Sequence, residues 1–66
     1  MDFILEVIVR LQGEGMTARA WGLSTKNNPA LIQAEPIASR DADWWERHDA
    51  WLFGWEVEDA WLQRSL

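Results

Sequence analysis

Few residues in this chain could do chemistry. His48 is its single histidine, and an imidazole there could act as a general base or a metal ligand. It has no second histidine and no cysteine to share a metal with, and it falls one helical turn from Trp44 and Trp51. The simpler reading is a half-buried ring that hydrogen-bonds within the packing. Asp41, Asp43, Glu46 and Asp49 could be drawn as a divalent-cation cluster. Their spacing spreads them around a helix instead of converging them, which describes a solvated face. Gly13-Glu14-Gly15 is a fragment of a phosphate-binding loop, without the third glycine, the lysine or a following βαβ pattern. Ser24, Ser39 and Ser65 stand beside no base. No nucleophile–base pair is visible, so the expectation is a protein that is not an enzyme and takes no cofactor and no metal.

The elements that must position these side chains divide a single small domain, 1–66, into four stretches. These are an apolar N-terminal segment (1–14), a small-residue helix with an Asn-Pro turn (15–29), a connector (30–38) and a Trp-rich acidic helix (39–63). Residues 3–12, Phe-Ile-Leu-Glu-Val-Ile-Val-Arg-Leu-Gln, fit two periods. As a strand, Phe3, Leu5, Val7, Val9 and Leu11 share a face. That strand finds no partner within the chain and would need the edge of another molecule. As a helix, Ile4, Ile8, Leu11, Gly15, Ala18 and Gly22 form one seam in steps of four and three. Both remain open, and a break near Gln12–Gly15 suits either, because glycine weakens a helix by about 1 kcal/mol relative to alanine.

Residues 16–22 have helix-forming content, with Gly22 as a stop. Ser24, Asn27, Asn28-Pro29 and Pro36 break the chain through 23–38, where Ala30–Ala34 holds one helical turn. The second helix is expected to start within Ser39–Asp43 and to run to about Gln63. Ser39 would be its N-cap, Asp41 and Asp43 lie near the positive end of the dipole, and Asp43 can pair with Arg47.

That helix is apolar on two sides. Trp44, His48, Trp51, Trp55 and Leu62 form one stripe, widened by Trp45 and Leu52, while Ala50, Phe53, Val57, Ala60 and Trp61 form a second, with acids between. A helix apolar on two sides must be covered on two sides. The chain has only 66 residues and no cysteine, so its stability must come from packing within the chain, between chains or with a partner. The expectation is a homo-oligomer, most simply a symmetric dimer, or a bound partner protein. The alternative is that the connector and N-terminal segment fold over the second stripe.

Charge narrows the partner. The net charge is −5, and all of it lies in residues 41–66, where Asp41, Asp43, Glu46, Asp49, Glu56, Glu58 and Asp59 outnumber Arg47 and Arg64. Direct binding to nucleic acid needs cations along the phosphates, and tryptophans that stack bases normally line a basic groove. Both speak against nucleic acid and against an anionic membrane surface. An acidic row could instead imitate nucleic acid and inhibit a nucleic-acid enzyme. No stretch approaches the ~18 apolar residues of a membrane span. The acidic start Met1-Asp2 is unlike a secretory signal, so the cytoplasm is the expected location.

One spacing is more specific. Gly15-x2-Ala18-x3-Gly22-x5-Asn28-Pro29 is followed by Trp51-Leu52-Phe53-Gly54-Trp55 and then Ala60. This resembles the ribosome modulation factor family in the broad sense that includes short phage and plasmid relatives and small ciprofloxacin-resistance proteins. The resemblance implies a mainly α two-helix unit in which Ala18 and Gly22 let the helices approach, Asn28-Pro29 fixes the turn and Gly54 makes room beside Trp51 and Trp55. Residues 3–12 would then extend the first helix or form an intermolecular strand. It also implies a phage or mobile-element origin and a modulator of a host complex such as the ribosome, with Arg19 and Lys26 as the RNA contacts. A small antibiotic-modifying enzyme is a further alternative, for which Lys26 stands without a phosphate-binding loop. The rings outside the helix-pair motif, Trp21, Trp45 and Trp61, are then the interface candidates, together with Phe53, Val57, Asp41, Asp43, Glu46 and Asp49.

Overall fold

The computed structural model describes residues 3–32 and 42–64. They form helix α1 (Phe3–Ala20), a 3-10 turn (Thr25–Asn27), the short helix α2 (Pro29–Ile32) and helix α3 (Ala42–Arg64). The architecture is the expected mainly α, two-helix unit. The expected start of the second helix at Ser39 and its N-cap role, and the position of Asp41, lie outside the described residues.

The helical period prevails over the strand period in residues 3–12. Leu11, Gly15 and Ala18 are buried, with Val7, Ile8 and Trp55 packed against the core of Leu11, Ala18, Ala50 and Trp51. Leu5 and Val9, which a strand would have placed beside Val7 and Leu11, face outward. The break expected near Gln12–Gly15 does not occur, and α1 runs unbroken across the boundary between residues 14 and 15. It ends where the sequence offers Gly22, at φ 83°. The Leu23 N–H donates to the Ala18 carbonyl and the Gly22 N–H to the Arg19 carbonyl, each at 2.9 Å. This is a Schellman cap. It corrects the expectation that Gly22 lies in the helix seam: no atom beyond its neighbours comes within 4 Å of where its Cβ would be.

α1 and α3 run in the same direction. Val7 and Leu11 share a cleft with Arg47, Met16 shares one with Val57 and Trp61, and Arg19 meets Asp59, so residues advance together along both helices. The connecting segment must therefore return the length of α1. It does so along α3, held by three hydrogen bonds in descending register. Trp55 Nε1 donates to the Leu23 carbonyl at 2.8 Å, Asn28 Nδ2 to the His48 carbonyl at 3.0 Å, and Trp44 Nε1 to the Ala30 carbonyl at 3.0 Å.

Asn28 is the middle pin and is 2% exposed. Its φ of −58° and ψ of 120° are extended, as the following proline requires. Its Oδ1 accepts from the Ala30 N–H at 3.1 Å. One amide thus caps the start of α2, where Pro29 needs no N–H partner, and ties that turn to α3.

The helices touch backbone to backbone. A Cβ on Gly54 would lie 2.7 Å from the carbonyl carbon of Gln12 and 2.9 Å from its Cα. One on Gly15 would lie 2.9 Å from the Trp55 nitrogen and 3.0 Å from the Trp51 carbonyl carbon. Neither neighbour is a flexible side chain that could give way. Alanine at Gly15 or Gly54 is therefore expected to destabilise by about 1–3 kcal/mol or more, despite better helix propensity. Gly13 has open space around its Cβ position, so Gly13→Ala should stabilise by up to about 1 kcal/mol. Urea unfolding followed by circular dichroism reads the opposite signs directly. Asn28→Ala, which strands the buried Ala30 N–H and removes the tie to the His48 carbonyl, should cost about 1–3 kcal/mol in the same assay. Asn27→Ala on the exposed side of the turn should stay within about 0.5 kcal/mol.

Candidate partner-binding surfaces

Three tryptophans serve the fold. Trp44 is 1% exposed and Trp51 2%, and Trp55 is half-buried with its N–H given to Leu23. Burying an indole is favourable when its N–H finds an acceptor, and the connector's carbonyls supply two. His48 completes this packing. It stacks on Trp44 at 5.1 Å between centroids, and its Nδ1 lies 2.9 Å from Asp49 Oδ1. That is a ring used in packing. Among the described residues no group of three or more His, Asp or Glu side chains converges to hold a metal ion.

The other three tryptophans lie on different surfaces. Trp61 is 63% exposed and shares its side of α3 with Phe53, 57% exposed, and Val57. Met16 of α1 reaches the same side and lines a cleft of about 360 Å³ with Val57, Glu58 and Trp61. Trp45 sits elsewhere on α3, edge-on to Trp44 at 4.8 Å and to His48 at 5.6 Å. Trp21, 78% exposed, follows α1 and walls a separate open groove of about 560 Å³ between α1 and the connector, floored by Trp51.

Of the second apolar stripe, only Ala50 is buried in the helix crossing, while Phe53, Val57, Ala60 and Trp61 are exposed. Leu23, Asn28 and Ala30 pack on the first stripe. The chain is only 14 Å across in its thin dimension. Stacked helices sit 8–10 Å apart with a Cα radius near 2.3 Å, so covering α3 on both sides in that direction would take roughly 20 Å.

Charges are equally unevenly used. Arg19 donates from Nε to Asp59 Oδ1 at 2.8 Å and lies 5.6 Å from the Trp55 ring centroid. Arg10 pairs with Glu14 at 3.8 Å. The expected Asp43–Arg47 pair does not form. Arg47 lines a cleft with Val7, Leu11 and Asn28–Ala30 instead, and Asp43 is exposed. Glu46 and Asp49 are exposed as well. Sequence reasoning did not find the partition of the tryptophans, because the acceptors that hold Trp44 and Trp55 are backbone carbonyls, which carry no residue signature.

Comparison with protein families, with curated proteins and with solved structures found no significant match. No helix among the described residues is long and apolar enough to cross a membrane.

The tryptophan partition is testable by acrylamide quenching. Trp21→Phe and Trp61→Phe should each remove an accessible component of the fluorescence, while Trp44→Phe should leave accessibility unchanged. Trp44→Phe should also cost about 1–3 kcal/mol, because the Ala30 carbonyl loses its donor.

Proposed function

We propose that this chain is a non-enzymatic binding protein that modulates a larger host complex through protein-facing contacts. The observation that carries this reading is the set of large apolar side chains left on the outside of a fold whose own core is already closed: Trp21, Phe53, Val57 and Trp61. Exposed apolar area of this kind is a signature of interaction sites, and Trp is enriched among the residues that dominate binding energy.

The ribosome is the first complex to test, since the helix-pair spacing resembles that of ribosome modulation factors and Gly15 and Gly54 each lie against the backbone of the opposite helix. Contact through RNA has little support. Arg19 is engaged by Asp59, which leaves Lys26 as the free cation of the two matching positions. A protein component of the complex is the better-supported contact, and the acids on α3 then face the partner's cations.

The measurement is co-sedimentation of the purified chain with ribosomal particles from a host lysate, alongside affinity capture of other complexes. The expected result is a bound fraction that survives nuclease treatment and falls about tenfold or more when an exposed ring is truncated. Binding that depends on intact RNA and on Lys26 would favour the RNA route. Retention by a nucleic-acid enzyme, lost when Asp43, Glu46 and Asp49 become Asn or Gln, would favour nucleic-acid imitation.

A further inference from the structure

The side of the molecule that carries Phe53, Val57 and Trp61 has a definite charge. On α3, Glu46 falls in line with Phe53, seven residues before it, and Asp49 and Glu56 flank the ridge on its outer edge. Glu58 lines the cleft with Met16, Val57 and Trp61. Glu46, Glu56 and Glu58 make no ion pair among the described residues. Among the described residues Asp49 makes its polar contact with His48. Three cations are engaged elsewhere: Arg19 with Asp59, Arg10 with Glu14, and Arg47 in its cleft beside α2. Arg64, one turn beyond Trp61, is the cation in line with this face.

The apolar part has helical dimensions. Phe53, Val57 and Trp61 span about 12 Å along α3, at 1.5 Å per residue. Val9 and Met16 span about 10 Å along the outer side of α1. Met16 meets Val57 and Trp61 across a cleft between two helices running the same way, and Val9 and Phe53 are exposed in line with Met16 and Val57 along their own helices. A helix that inserts side chains at i, i+4 and i+7 has anchors over about the same distance. Met16, unbranched and adaptable, suits the floor of such a trough.

We propose that this acid-rimmed trough, the cleft of Met16, Val57 and Trp61 continued by the exposed Val9 of α1 and Phe53 of α3, docks a basic amphipathic helix of a partner protein. Its apolar face would lie in the trough and its Lys or Arg side chains would meet Glu46, Asp49, Glu56 and Glu58. The inference rests on the binding-protein reading above and names the partner's chemistry. Charge also decides against other occupants. A second copy joined about a two-fold axis lays this patch on itself, so the four acids Glu46, Asp49, Glu56 and Glu58 of each copy meet against a single Arg64 from each, and such an excess of like charge across an interface is costly. Anionic lipid and nucleic acid are repelled for the same reason.

The test uses the intact chain and a synthetic helical peptide of about 18 residues, long enough to hold helix in a groove. It carries leucine on one face and lysine elsewhere; a second peptide replaces each lysine with glutamate. Titration calorimetry should show binding of the lysine peptide, weakening as salt is raised. Phe53→Asp and Val57→Asp should each lower the affinity about tenfold or more. Both positions are exposed, and circular dichroism checks that the fold is kept. Trp21→Asp, on the other groove, should leave the affinity unchanged. Glu46→Gln with Glu58→Gln should reduce the salt dependence.

The proposal is overturned if the glutamate peptide binds as well, if Phe53→Asp binds the lysine peptide unchanged, or if sedimentation equilibrium shows a dimer that Phe53→Asp dissociates. Failure of the broader reading looks different. A wild-type chain that retains no host complex sinks that reading, while the peptide titration still judges the trough. A complex retained by Phe53→Asp and lost by Trp21→Asp sinks the trough proposal and keeps the reading.

Discussion

Two helices can approach backbone to backbone only where neither carries a side chain at the crossing, and here that condition is met on both sides. Gly54 lies on the Gln12 peptide and Gly15 on the Trp51 and Trp55 backbone. The rest of the structure follows from this closeness. With the axes drawn together, the small core of Leu11, Ala18, Ala50 and Trp51 closes without a disulfide. Large residues on the flanks of the crossing find no room inside. Trp51 fits because it turns beside the crossing to floor the groove under the connector. Phe53, Val57 and Trp61 lie on the far side and remain in solvent.

The connector solves the other half of the problem. Residues of the first apolar stripe would otherwise be bare, and a segment without regular secondary structure has backbone groups to satisfy. The two needs meet. Trp44 and Trp55 have indole N–H donors that require acceptors, and Ala30 and Leu23 offer carbonyls. Asn28 reverses the roles, donating from the connector to a carbonyl on α3. Polar pairing and apolar burial are thus achieved by the same three contacts, which is how a short chain orders an irregular segment without a larger core.

Much of this was legible in the residues. The seam through Leu11, Gly15 and Ala18, the Asn28-Pro29 turn, the single turn that follows it and the long acidic helix can all be read from spacing. Strand and helix could not be separated in residues 3–12, because a run apolar at most positions satisfies both periods. Only the partner helix decides, by burying Leu11 and leaving Leu5 and Val9 outside. Gly13, Gly15 and Gly22 look alike in sequence and have three different surroundings: open space, a helix backbone and a left-handed cap. Nor does spacing reveal that the two long helices point the same way. Trp21, Trp45 and Trp61 were legible as rings outside the motif, but their separation onto three surfaces depends on that direction.

The shared direction of α1 and α3 has a consequence for how the chain reaches this state. A helical hairpin closes its first contacts across a short loop, but here every contact that defines the topology is distant in sequence. Trp44 reaches back 14 residues to Ala30, Trp55 reaches 32 to Leu23, and Asp59 reaches 40 to Arg19. Chains dominated by such non-local pairings fold more slowly than helical proteins with local ones, because the entropy of loop closure must be overcome before any contact offsets it. For a chain of 66 residues, the crossover therefore makes a helical protein fold on a schedule closer to that of mixed or β topologies. During that interval the tryptophans of both stripes are exposed together.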